Sequence, residues 1–425
     1  MTRSVSPRTR IVWLLAVVAA AFAIRLVATA QFEGLSSGPN TAAFYDGVEF
    51  EQIAANLVRH GEFSVHAGRP TSFRAPGFPI ALAAVYAVFG VGDFVAAHVF
   101  FCLIGAVACI AAFLVAREIA GDVAGLITAA LVAVYPNLLY YAMHFSSEPL
   151  FTLLLVLSVW LFIRAMRVER LSYYAASGVL LGLSALTRPA AFYFLPFFAL
   201  VALLAGPRLW LARSGRIAVM AIGLMLPIAP WAIRNYEVHD RHVLLASNGG
   251  STFWGANNAI VLDDPKYHGD WITTEAMPDQ KKLVHALPNE VDRDRLEWDL
   301  GKQFVRDHPA AIPRLFLYKL YWLWTPASRT PNVTFNWIHL VSYGVMLPLI
   351  VAGFVMLVRR RGFRDEALMA VVAPVVATTA ATVVFYGSAR FRSTIEPFLL
   401  VFAAVALAVL LSRLSARFNA FEGPR

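Results

Sequence analysis

Long apolar runs alternate with short polar breaks along almost the whole chain. Ten of them, at 11–30, 94–116, 123–143, 149–166, 172–187, 191–205, 216–233, 336–358, 366–386 and 395–412, read as membrane spans, which need about 20 predominantly apolar residues each. The first shows no small-residue cleavage site and reads as a retained helix. Two further apolar stretches, 77–90 and 311–325, compete for the same reading. The stretch 44–61 is of another kind. Behind Asp46, the apolar residues Phe50, Ile53, Ala54 and Leu57 recur at helical spacing and Gly61 closes the run, which predicts an amphipathic helix opening on a carboxylate. The pattern as a whole predicts an all-α polytopic membrane protein with about ten transmembrane helices. It also predicts interfacial helices in a first outer loop (31–93) and a second large outer loop (about 234–335).

Charge decides between the competing readings. Charged residues make up 15% of the 425, against about 25% in soluble domains. The net charge of +9 is mostly arginine in short loops, which points to membrane topology and away from nucleic acid. With ten spans, Arg3, Arg8, Arg10, Arg117, the loops 164–170, 208–216 and 359–364, and Arg413 and Arg417 all fall on the cytoplasmic side, with both termini. The first outer loop is net acidic, with Glu33, Asp46, Glu49, Glu51, Glu62 and Asp93 against Arg59, Arg69 and Arg74. Making either 77–90 or 311–325 a span puts Arg359, Arg360 and Arg361 outside. Both therefore read as helices in the outer interface, the second anchored by Tyr318, Tyr321, Trp322 and Trp324. The chain divides into a membrane module over 1–233, a cap over 234–335 and C-terminal spans over 336–425.

Candidate chemistry gathers at the outer face. Arg188, Arg234 and Arg390 each end a span that runs outward, Arg392 follows two residues later, and Arg74 opens the interfacial helix at 77–90. Guanidinium groups at one depth suit a phosphate, because arginine offers a bidentate fork and keeps its charge; the bland alternative is snorkelling to lipid headgroups. Asp46 fits a general base, a metal ligand or a partner for the helix dipole. Glu148 stands in Ser146-Ser147-Glu148-Pro149 at a span start, where capping by a serine is the competing role. Arg25, inside the first span, predicts a carboxylate partner from the outer loops, since unpaired intramembrane charge is expensive. Cys102 and Cys109 lie seven residues apart on one helix, too far to bridge. No Cys/His cluster, phosphate loop or nucleophile elbow occurs, and no internal repeat.

The ordered motifs resemble GT-C glycosyltransferases. They are an acidic residue opening an amphipathic helix after the first span, R-x-P-G-x-P at 74–79, Ser-Glu-Pro at 147–149, L-T-R-P at 186–189, P-W-x-I-R-N-Y at 230–236 and RFRSTIEP at 390–397. The nearest branch holds protein O-mannosyltransferases and the lipid A aminoarabinose transferase, and is glycosyltransferase family 39-like. The resemblance implies inverting transfer of a sugar from a polyprenyl-phosphate donor to a glycan, lipid or protein acceptor hydroxyl. It places this at the extracytoplasmic face of the plasma membrane, among membrane lipids. It implies that Asp46 is the essential acidic residue and that Arg74, Arg188, Arg234 and Arg390 hold the donor phosphate; from their own positions Glu148 joins Asp46 as a catalytic candidate and Arg392 joins the phosphate ligands. Gly47 stands where many relatives carry a second acidic residue, Phe50 where tyrosine is common, and Phe73 where the aminoarabinose branch has an acidic residue. A divalent metal is compatible with the resemblance, but no ligand cluster supports one and no cofactor is expected.

A lipid-linked glycan ligase or a phosphoglycolipid transferase would share the arginines. A flippase of lipid-linked sugars is the rival from another class, but transporters show repeats and mid-membrane polar breaks, whereas these charges sit at the outer face. The topology has a direct check: a cysteine placed at Arg360 is expected to resist an impermeant thiol reagent added outside cells, and labelling there overturns it.

Overall fold

The computed structural model describes residues 6–40, 45–204, 210–327 and 333–421, so Arg3 and Arg208 of the arginine-rich loops lie outside them. Among the described residues every regular element is a helix. The N-terminal part runs α1 (Pro7–Phe32), α2 (Tyr45–His60), α3 (Gly77–Phe89), α4 (Phe94–Ala120), α5 (Asp122–Val134), α6 (Pro136–Ala142), α7 (Glu148–Val168), α8 (Leu171–Thr187), α9 (Leu195–Leu204) and α10 (Trp210–His239). The cap holds α11 (Gly249–Gly255), α12 (Ala259–Asp263), α13 (Pro278–His285), α14 (Glu290–Asp307) and α15 (Ile312–Trp324). The chain closes with α16 (Val333–Arg361), α17 (Glu366–Val384), α18 (Ala389–Ser393) and α19 (Glu396–Phe421).

Seven of these helices, α1, α4, α7, α10, α16, α17 and α19, are long and apolar enough to cross a membrane, and α5 with α6 makes an eighth as a pair bent by 55°. The expected ten is therefore not reached by length. Helices stand where the other two spans were expected, but α8 has 17 residues and α9 only 10, preceded by a 3₁₀ turn at Pro189–Phe194. Pro189 explains the break, since it offers no amide hydrogen to a continuing helix. At 13 residues each, α3 and α15 rise about 20 Å, well short of the roughly 30 Å hydrocarbon core. As the periodicity predicted, α2 buries Phe50, Ile53 and Ala54. Phe50 meets Phe78 of α3 edge-on at 5.2 Å, so the two short helices form one layer.

Helix ends buried inside the fold are capped by cations. Arg25 of α1, buried, does not pair with a carboxylate as expected. It donates to the carbonyls of Val132 and Ala133 at 3.1 Å each, and to Ala21 of its own helix at 3.1 Å. The reason lies four residues beyond Val132: Pro136 has no amide hydrogen, so the last turn of α5 exposes carbonyls that hydrocarbon cannot satisfy. Arg213 likewise donates to Leu203 near the end of α9 at 2.6 Å.

Lys319 of α15 repeats the device. Wholly buried, it donates to Asn257 Oδ1 at 2.8 Å and to the carbonyls of Val383 and Val384 at 3.3 and 3.2 Å, which tie the end of α17 to the cap. Burial pushes the Lys319 ammonium down to about 7, against about 10.4 in an unfolded chain. Below the folded value both states hold the proton. Between the two values the unfolded chain holds more of it, so stability rises with pH across that window. The melting temperature of the purified protein is expected to climb from pH 7 to pH 9, and Lys319→Met to flatten the climb; equal slopes in both proteins refute this.

Candidate active site

Four chain segments far apart in sequence meet beside the start of α2. That helix delivers Asp46 in its first turn because Gly47 lets it lie against the backbone: a Cβ at 47 would stand 2.7 Å from the Phe145 carbonyl oxygen. The same contact leaves no room for an acidic side chain at 47. Glu148 opens α7 just beyond Ser147, and Pro149 follows at a position whose amide hydrogen a helix does not need. Arg188 ends α8 in an extended conformation imposed by Pro189. Gly77 brings the loop carrying Arg74 onto that end, since a Cβ there would be 2.6 Å from Thr187 Oγ1. Arg390 comes from α18, near the C-terminus.

These side chains form one network. Arg390 pairs with Asp46 through Nη2 at 2.9 Å and with Glu148 through Nε. Arg188 Nη1 donates to Glu148 Oε1 at 2.5 Å and to Ser147 Oγ at 3.3 Å. Arg74 reaches Asp46 Oδ1 at 3.5 Å and Glu49 Oε2 at 2.5 Å, and its guanidinium stands over Phe73 at 5.1 Å. The site is therefore three guanidinium groups against three carboxylates. Burial alone would raise the Asp46 pKa, but Arg390 and then Arg74 outweigh it and hold the carboxyl well below the ordinary aspartate range. Glu49 was not among the residues singled out from the sequence; its place one turn after Asp46 on the same helix face was the available signal.

Asp46, Arg74, Arg188 and Arg390 line a cavity of about 400 Å³, within the range of small-molecule sites. Phe151, Phe192, Phe194 and Phe385 give the lining apolar surface, and the cap adds Asn248, Thr252, Asp294 and Trp298, with Phe385 against Trp298 at 6.1 Å. Nothing in the sequence pattern marked Asp294 or Trp298. The cavity lining draws on residues from 1–233, 234–335 and 336–425.

Two expected phosphate ligands are not brought to the cavity. Arg234 is consumed by the Thr71 and Phe63 carbonyls at 2.7 and 3.2 Å and by Ser72 Oγ at 3.2 Å, against the rings of Phe63 and Trp231. Arg392 is wholly buried. It donates to the carbonyls of Leu323 and Thr325 at 3.0 and 2.6 Å, pairs with Glu396 at 3.3 Å and lies over Tyr343. Both serve backbone and packing. Among the described residues no group of three His, Cys, Asp or Glu could hold a metal ion.

A family model described as dolichyl-phosphate-mannose-protein mannosyltransferase matches residues 73–233, a segment carrying Arg74, Glu148 and Arg188. Among solved structures, the archaeal oligosaccharyltransferase AglB from Archaeoglobus fulgidus, in complex with an inhibitory peptide and a dolichol-phosphate, aligns over 97% of this chain at a TM-score of 0.56 and 15% identity. The chain has the GT-C fold. The same oligosaccharyltransferase tethered to an acceptor peptide aligns at a TM-score of 0.59, 15% identity and 95% of this chain. The chain spans about half the length of these proteins, 52% and 50% respectively. A looser overlay, at a TM-score of 0.44, 14% identity, 93% of this chain and 77% of the other, is found with ArnT from Cupriavidus metallidurans bound to undecaprenyl phosphate. No curated protein sequence matches the chain. The GT-C resemblance read from the motifs is thus shared by the family match and by the fold.

Glu148→Gln leaves Arg188 and Arg390 beside a neutral amide in a buried place. Removing one partner of such a pair is expected to cost on the order of 3–5 kcal/mol, read as a lowered melting temperature in detergent. A variant that melts with the wild type would show that Glu148 does not hold the two arginines together.

Proposed function

We propose that this protein transfers a sugar, with inversion, from a polyprenyl-phosphate donor to an acceptor hydroxyl at the extracytoplasmic face of the membrane. The observation that carries the reading is a single cavity in which an ionised aspartate, three arginines and an apolar wall face one another. A polyprenyl phosphate needs both parts, guanidinium forks for the phosphate and apolar surface for the chain. The family match is to enzymes described by a dolichyl-phosphate sugar, and AglB was solved with a dolichol-phosphate.

The chemistry follows from the pairings. The acceptor oxygen bonds to the anomeric carbon as the bond from that carbon to the phosphate oxygen breaks. Asp46 takes the hydroxyl proton, and polyprenyl phosphate leaves with the electron pair. Paired with Arg390 and Arg74, which hold its pKa down, Asp46 is a weak base. A bound phosphate competes for the same guanidinium groups, which loosens them from Asp46 and restores its basicity as the donor arrives. The arginines then stabilise the charge that grows on the departing phosphate. Arg188 uses only Nη1 in its protein pairs among the described residues, so the rest of its fork suits a phosphate oxygen. Glu148 acts through Arg188 and Arg390 as a positioning residue. A glycan ligase would use the same site and differ only in the acceptor.

Asp46→Asn is expected to lower transfer at least about a hundredfold, as loss of a general base does, while the protein still inserts and melts cooperatively. A variant keeping more than about a tenth of wild-type turnover removes that role. Arg390→Lys keeps the charge but loses the fork, so donor use is expected to fall roughly ten- to a hundredfold. An unchanged rate there points to mere headgroup contact.

A further inference from the structure

We propose that the cap side of the cavity, formed by Asn248 and Thr252 at α11 and by Asp294 and Trp298 of α14, is the subsite for the donor's sugar, with Asp294 accepting hydrogen bonds from its hydroxyls. The inference rests on the donor reading above. The cavity lining combines three chemistries. The arginines answer an anion, and the phenylalanines answer hydrocarbon. A carboxylate suits neither: it repels a phosphate, and facing hydrocarbon it would pay its desolvation with no partner. What Asp294 suits is a neutral group rich in hydroxyl donors, which a glycosyl unit one bond from the phosphate supplies.

The surface is built to hold one geometry. Asp294 Oδ1 is fixed by the Gly250 amide at 2.6 Å, and no bond to Oδ2 occurs among the described residues. Asp294 and Trp298 lie four residues apart on α14, hence on one face. Trp298 is stacked on Phe253 at 4.7 Å and meets Phe385 at 6.1 Å and 71°, so its ring cannot swing away. Thr252 is held through its hydroxyl by the Asn248 carbonyl at 2.8 Å. Burial pushes Asp294 up to about 6, as it would a carboxylate awaiting polar partners. The cap, and not the membrane module, therefore selects which sugar is transferred.

Binding to protein in lipid nanodiscs tests this with two kinds of probe, bare undecaprenyl phosphate and the same carrier bearing a hexose, a pentose or an N-acetylhexosamine. Wild type is expected to bind the bare carrier, and at least one glycosylated carrier more tightly. Asp294→Asn and Thr252→Val are each expected to keep the affinity for the bare carrier and to lose about tenfold or more for the preferred glycosylated one. The retained binding of the bare carrier also reports that the variants fold. Equal loss for both probes overturns the subsite, because the surface would then be structural. No loss for either probe, or loss of transfer with donor binding intact, overturns it as well, the last placing these residues at the acceptor. A panel in which no sugar improves binding to wild type likewise overturns it. Failure of wild type to bind even the bare carrier instead overturns the donor reading itself.

Discussion

Glu148 is a carboxylate with 1% of its surface exposed, and the site depends on how that charge is neutralised. A buried ion must be paired and hydrogen-bonded, or it titrates away. Two guanidinium groups meet the demand, one from the end of α8 and one from α18, 242 residues along the chain from Glu148. Their convergence fixes where the C-terminal helices lie against the N-terminal ones. It also holds the two arginines at the cavity wall, and Arg390 in turn reaches Asp46. The geometry of the candidate site is thus a consequence of one buried charge.

The same economy governs the rest of the interior. Helices that break within an apolar fold leave carbonyls that neither water nor lipid can satisfy. Arg25, Arg213, Lys319 and Arg392 each turn to such carbonyls at the end of a neighbouring helix. The helix C-terminus is where a cation is favoured by the backbone dipoles. These side chains are scaffold, even though in sequence they resemble the arginines of the site. What the scaffold cations share is a carbonyl partner at a helix end, to which Arg392 adds Glu396; the arginines of the cavity meet carboxylates.

A site clamped by its own ion pairs is poised but closed. Asp46 stays ionised in it and is too well neutralised to be a strong base, and an incoming anion is what changes the balance. On the proposed reading, coupling basicity to donor arrival in this way would limit loss of the donor to water. The cap adds Asn248, Thr252, Asp294 and Trp298 to the cavity lining, with Trp298 against Phe385 of the C-terminal part.

Much of the fold was legible in the sequence because it rests on local physics. Apolar runs of spanning length, the helical period behind Asp46 and the prolines at 136, 149 and 189 act on the residues beside them. Asp46, Glu148, Arg74, Arg188 and Arg390 stood out because charge is scarce in such a chain. The number of full-length spans was not legible, since α8 and α9 are shortened by a break whose cost tertiary packing decides. Nor was the sorting of the arginines. Arg234 and Arg392 sit at the same apparent depth as Arg188, but each is consumed by carbonyls from residues far along the chain. Arg25 found carbonyls freed by Pro136 where a carboxylate was expected, for the same reason. Asp294 and Trp298 lie on an amphipathic helix of ordinary pattern, and only tertiary contacts of that helix, Glu290 to Ser72 and Trp298 to Phe385, bring them to the cavity. Sequence determines which residues carry charge and which segments are helical; which charges meet depends on contacts between distant segments, and that the tertiary structure alone decides.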